Sequence, residues 1–339
     1  MRISIFLCLG MFLSLTVRAL EAPEADKSKA EQRAAYIEKA KAIMSEGFAA
    51  WNDSRFGDSS KKFGELVTDE SKKSFTEIYF DALLRKEKMD LLGLRSQRKA
   101  EFFDSLIDSI NKYQWRSSFE REMFFGRVQR LRGSYLSNIG DYKGSNRSLD
   151  MAIASFKKLG KSGSEGWALL HRSSNYLSMG QVSEAERDMG ASQKALKRGL
   201  KQEEQSFWSF YHRSRARMLA RQGKLAEAEQ ELLHGLEKLK LSQPSLRFAS
   251  LVLMEDGVVL AVAAGNQELA ESRMKTLAEE AKGTGMEEVY RDFNAIWREY
   301  LKSGNWNAAE GSVGALVDRG YGKGRADWMM SLLEPKPPM

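Results

Sequence analysis

One short phrase returns about every 40 residues through the second half of the chain and leaves few architectures open. It consists of a glycine, a polar residue, a bulkier residue, two more positions and then a small side chain. The copies are Gly140-Asp141-Tyr142-Lys143-Gly144-Ser145, Gly180-Gln181-Val182-Ser183-Glu184-Ala185, Gly223-Lys224-Leu225-Ala226-Glu227-Ala228, Gly265-Asn266-Gln267-Glu268-Leu269-Ala270 and Gly304-Asn305-Trp306-Asn307-Ala308-Ala309. The glycines lie 40, 43, 42 and 39 residues apart. A sustained period of this length is the mark of stacked supersecondary units.

The phrase has a physical reading. Each glycine ends a helix, where a left-handed backbone is cheap without a β-carbon. The polar residue starts a second helix, and the small residue five positions after the glycine lets the two helices approach closely. Four residues further on stands a larger apolar side chain in every copy: Leu149, Met189, Leu232, Met274 and Val313, the i, i+4 spacing of one buried stripe. Seven residues before the glycine the first three copies carry Gly133, Ser173 and Ala216, whereas Val258 and Trp297 stand there in the last two. Composition agrees. Ala, Leu, Glu, Lys, Arg, Gln and Ser dominate, runs of Val, Ile and Thr are nearly absent, and there are five prolines. The expectation is an all-helical chain.

These residues resemble tetratricopeptide repeats in a long form of about 40 residues per hairpin. The usual closing proline is mostly missing, and Arg132, Arg172 and Arg215 stand where that family prefers an apolar residue. The resemblance implies an all-α, right-handed superhelical solenoid of stacked antiparallel helix pairs. An earlier hairpin fits the same scheme through Gly47, Phe56, Ser59, Phe63 and Leu66, with Ser54 in the place of the turn glycine, and Ala100 marks another. The organisation expected is a signal peptide over residues 1–19, weaker TPR-like hairpins over 20–120, a repeat array over 121–333 and a tail over 334–339, with residues 20–32 also fraying.

The start of the chain reads as a targeting segment. Arg2 precedes the 15-residue apolar run Ile3 to Val17, and Val17-Arg18-Ala19 fits a small-x-small cleavage site. That run is short of the roughly 20 residues needed to span a bilayer. Removal of residues 1–19 lowers the formal charge from +7 to +5 and takes away the only cysteine, Cys8. The mature chain is then expected in a periplasmic or secreted setting, without disulfides and without stable membrane insertion.

Catalytic signals are weak, and the chain is read as non-enzymatic. No HExxH occurs, and His171, His212 and His234 offer no evident metal set; His171 and His212, 41 residues apart, fit partly buried polar side chains on adjacent hairpins. Gly160-Lys161-Ser162 resembles the end of a phosphate loop, but Ser155 replaces the required glycine and a helix precedes it. No cofactor is implied. A diffuse charge of +5 with little aromatic interleaving argues against nucleic acid.

A basic stripe is more informative. In the family resembled here, the first helices of successive hairpins line a concave groove that holds an extended peptide. Arg213, Arg217 and Arg221 repeat at i, i+4 and i+8 before Gly223. The same offsets before Gly304 give Asn294, Arg298 and Lys302, with Arg291 one turn earlier. Before Gly140 they give Arg130 and Asn138, with Arg127 one turn earlier. Arginine and asparagine suit the recognition of carboxylates and backbone amides. Arg132, Arg172 and Arg215 form a separate row expected to make inter-hairpin ion pairs with acids such as Asp188 or Glu231. The leading expectation is an exported scaffold that binds a protein or acidic peptide in this groove. Two alternatives stand beside it: an envelope protein that stacks acidic glycans or cell-wall fragments on its seven tryptophans, and self-association through the apolar last helix, Asp327 to Leu333.

Overall fold

The computed structural model describes residues 24–92, 100–115, 117–199, 205–240, 247–319 and 321–334. The expected signal segment and residues 335–339 of the tail lie outside them. Among the described residues there are sixteen α-helices and no strand. The chain divides into two compact units between Asp90 and Leu91.

The first unit is built on α1 (Glu24–Asn52), α2 (Phe56–Gly64), α3 (Asp69–Ser74) and α4 (Thr76–Leu92). Residues 24–32, expected to fray, already belong to α1, as their Ala, Glu, Lys and Gln content favours. Helices α1 and α2 form the anticipated hairpin. Ser54 takes the left-handed turn with φ of 59°, and the Ser59 hydroxyl donates to the Gly47 carbonyl across 2.8 Å. Gly47 faces the Phe63 ring so closely that a β-carbon there would lie 2.7 Å from it.

The second unit repeats this arrangement. It contains α5 (Ala100–Lys112), α6 (Ser118–Asn138), α7 (Tyr142–Lys158), α8 (Ser162–Ser178), α9 (Val182–Gly199), α10 (Gln205–Arg221), α11 (Leu225–Lys240), α12 (Arg247–Ala263), α13 (Gln267–Ala281), α14 (Glu287–Ser303), α15 (Trp306–Asp318) and α16 (Lys323–Leu333). Helices pair as α6/α7, α8/α9, α10/α11, α12/α13 and α14/α15, and each pair packs on the next. All five expected turn glycines have positive φ, between 62° and 85°. Asp141, Asn266 and Asn305 cap the following helices through backbone N–H groups of Gly144, Leu269 and Ala308. Ser145, Ala185, Ala228, Ala270 and Ala309 are buried, as are Leu149, Met189, Leu232, Met274 and Val313 four residues later. The hydroxyl of Ser145 donates to the Gly133 carbonyl at 2.7 Å, the same twelve-residue link as Ser59 to Gly47. Gly160, rejected as a phosphate loop, provides the left-handed turn between α7 and α8.

The first helices α6, α8, α10 and α12 touch one another in sequence, so they form one face of the unit. Helix α16 leaves the stack and lies on that face, in contact with α6, α8, α10 and α12 as well as α15.

Candidate functional site

Helix α16 is anchored on this face at three places. At its start, Gly322 lies against the Asn138 side chain, Lys323 covers Gly140, and Asp327 accepts hydrogen bonds from the Tyr142 hydroxyl and, at 2.6 Å, from Lys323 Nζ. In the middle, the Trp328 indole sits 4.3 Å from the Arg217 guanidinium and its Nε1–H points to the Arg217 carbonyl at 3.4 Å. Along its length Ala326, Trp328, Met329 and Leu333 are buried. The apolar segment that raised self-association as an alternative is thus covered within the chain.

On the other side, Arg325 forms a bidentate pair with Glu255 of α12, and Tyr321, just ahead of α16, donates to the same carboxylate at 2.7 Å. The Tyr290 hydroxyl accepts from Arg325 at 3.3 Å. Next to it, Asp256 accepts two hydrogen bonds from Arg217, at 2.6 and 2.7 Å, and one from Arg213 at 3.0 Å. Glu255 and Asp256 are 2% and 1% exposed, so these are interior charges held by their partners. Burial draws Arg213 and Arg325 below the usual arginine value and pushes the Tyr290 and Tyr321 phenols well up.

The ten residues of the expected basic groove do not form one surface. Arg213 and Arg217 both donate to the single carboxylate of Asp256, and Arg221 donates to the Leu177 carbonyl at 3.2 Å. Asn294 is buried and donates to the Met274 carbonyl at 2.8 Å, and Arg298 pairs with Glu271, so both turn towards α13. Their offsets match those of the arginines, but on α14 Asn294 is buried with Tyr290, Phe293 and Trp297. Arg291 is exposed beside Asp292, and Lys302 is exposed. Arg127 rests over the Phe124 ring at 5.2 Å, and Arg130 is half-buried. Asn138 of that outlying patch borders Gly322, at the start of α16. The second arginine row finds the expected acids, but within hairpins rather than between them: Arg172 binds Asp188 at 2.6 and 2.8 Å, and Arg215 lies 3.3 Å from Glu231, while Arg172 also reaches Asp150 of α7 and Arg132 reaches Asp104 of α5.

No family model, curated protein or solved structure matches the chain.

What sequence reasoning missed is the acidic half of the site. The segment Leu251 to Val262 is apolar except for Glu255 and Asp256, and two carboxylates in such a helix demand cationic partners. That signal was present in the chain. The partner Arg325 lies 70 residues from Glu255 and carries no pattern of its own. Of the tryptophans weighed for sugar stacking, Trp297 and Trp328 are buried, while Trp208 lines an open cleft on α10 and α11. Among the described residues, no helix is long and apolar enough to cross a membrane.

Proposed function

We propose that this protein is an exported, periplasmic or secreted, non-enzymatic scaffold of tetratricopeptide-like hairpins that binds a protein partner through a helical segment. The observation that carries the reading is α16 lying across α6, α8, α10 and α12. A helix bound there offers an apolar stripe (Trp328, Met329, Leu333), an acid towards Tyr142 (Asp327) and a base towards Glu255 (Arg325). The intended partner presents the same pattern and exchanges with α16, as an amphipathic helix entering a groove does. An acidic peptide alone is less suited, because the guanidinium groups of Arg213, Arg217 and Arg325 are already hydrogen-bonded to Asp256 and Glu255.

The test is complementation. A labelled peptide of residues 321–334 is titrated against the chain truncated after Asp318, and against the full-length Trp328→Ala chain in case truncation prevents folding. Saturable binding to either, weakened by a further Arg217→Ala change, supports the reading. Extracytoplasmic proteins held by these variants should be released by the same peptide. Absence of peptide binding to both variants, or captured proteins that the peptide leaves in place, overturns it.

A further inference from the structure

On the opposite side of the α10/α11 hairpin the fold assembles a set of ligands that the sequence pattern left incomplete. Glu231 and His234 stand at i, i+3 on α11 and therefore share a face. His212 of α10 reaches them: its Nδ1 lies 2.8 Å from Glu231 Oε2, and its ring centre is 5.9 Å from that of His234. One nitrogen from each histidine and one carboxylate oxygen all lie within 4.8 Å of one another.

We propose that His212, Glu231 and His234 bind a divalent transition-metal ion of the zinc class. Two imidazoles and one carboxylate are a donor set for zinc, with bonds of about 2.0–2.1 Å, which at tetrahedral angles places donor atoms about 3.3 Å apart. The required closure falls on His234, whose exposed side chain turns without disturbing the core. His212 and Glu231 are already fixed. The second carboxylate oxygen, Oε1, faces Arg215 Nε at 3.3 Å, an outer-shell contact that orients the ligand. A simple interhelical hydrogen bond needs only His212 and Glu231; the third donor on the same side is what points to an ion.

The geometry also gives the ion an accessible side. His212 borders an open cleft of about 440 Å³, shared with Gln193, Trp208, Tyr211, Arg215 and Lys238. Three protein ligands leave one coordination position, and the neighbouring cations Arg215 and Lys238 favour an anionic oxygen donor there. Binding replaces the proton shared by His212 Nδ1 and Glu231 Oε2.

The experiment is isothermal titration of the untagged full chain with zinc chloride, beside magnesium chloride, and cobalt(II) absorption as a report on geometry. One zinc per chain is expected, with no magnesium uptake and a tetrahedral cobalt spectrum. His234→Ala should weaken zinc by more than about 100-fold, beyond the 10- to 100-fold typical of losing an outer-shell contact. His171→Ala, outside the set, should leave binding unchanged. Circular dichroism of His234→Ala confirms that the fold persists. No zinc uptake, equal magnesium uptake, or a loss below about tenfold in His234→Ala overturns the site.

Discussion

The Arg217 guanidinium lies 4.3 Å from the centre of the Trp328 ring, and this contact couples the repeat stack to the helix that folds back onto it. Trp328 is 2% exposed, and truncating a buried tryptophan costs about 3–5 kcal/mol. Because α16 lies on the stacked pairs rather than within one of them, the loss should be local. In Trp328→Ala, amide exchange should accelerate across residues 321–334 while α7 and α9 keep their protection. Uniform acceleration throughout the second unit would contradict the picture of a separately docked helix.

Among the described residues, Asp256 is the one carboxylate that accepts hydrogen bonds from both Arg213 and Arg217. Asp256→Ala should therefore destabilise the chain by about 3–5 kcal/mol in urea denaturation, since it strands buried cations. Arg298→Ala, at an ion pair whose two side chains are 43% and 39% exposed, should change stability by less than about 1 kcal/mol. Equal effects would mean that the buried cluster is not what distinguishes the two sites.

The difference between these positions also explains how far the chain could be read beforehand. Hairpin pairing was legible because it is local: Gly140, Gly180, Gly223, Gly265 and Gly304 each mark a turn, and Ser145 or Ala185 marks the close approach that follows. Even Ser54 was recognisable from its place in the period, and its φ is indeed positive. The fold-back of α16 was not legible. A repeat period describes contacts between successive hairpins, whereas the pairing of Arg325 with Glu255 joins the end of the chain to a helix 70 residues earlier. The same limit hid the third ligand at His212, since Glu231 and His234 acquire meaning only once α11 folds onto α10.

Glycines separate turn, contact and free positions. A β-carbon at Gly133 would come 2.8 Å from Leu149 Cγ, so Gly133→Ala should cost about 1–3 kcal/mol through overpacking. At Gly190, within α9, a β-carbon meets nothing within 4 Å, and Gly190→Ala should stabilise by about 0.5–1 kcal/mol. Ser54→Gly should also stabilise, by about 1 kcal/mol, by relieving the left-handed backbone of a residue with a β-carbon. Thermal midpoints of the three variants check the signs; a stabilising Gly133→Ala would remove the close-approach argument.

The buried phenols set an alkaline limit. Tyr290 and Tyr321 are 0% and 1% exposed, and burial pushes both well above the ordinary tyrosine value near 10. Below about pH 10 both the folded and unfolded chains keep these groups protonated, so their share of stability is intact. As pH rises past that point the unfolded chain releases protons that the folded chain retains, and stability falls by about 1.4 kcal/mol per pH unit for each tyrosine. Burial draws Arg213 and Arg325 below the usual arginine value, so where these groups titrate their slope opposes that of the tyrosines. Urea denaturation between pH 8 and 11 should show a plateau and then a decline, with tyrosinate absorbance rising together with the loss of helix. Tyr290→Phe should shallow the decline by one group's share, because its hydroxyl accepts only the 3.3 Å bond from Arg325 and packing is otherwise kept. A decline of equal slope in Tyr290→Phe would show that another group governs the alkaline transition.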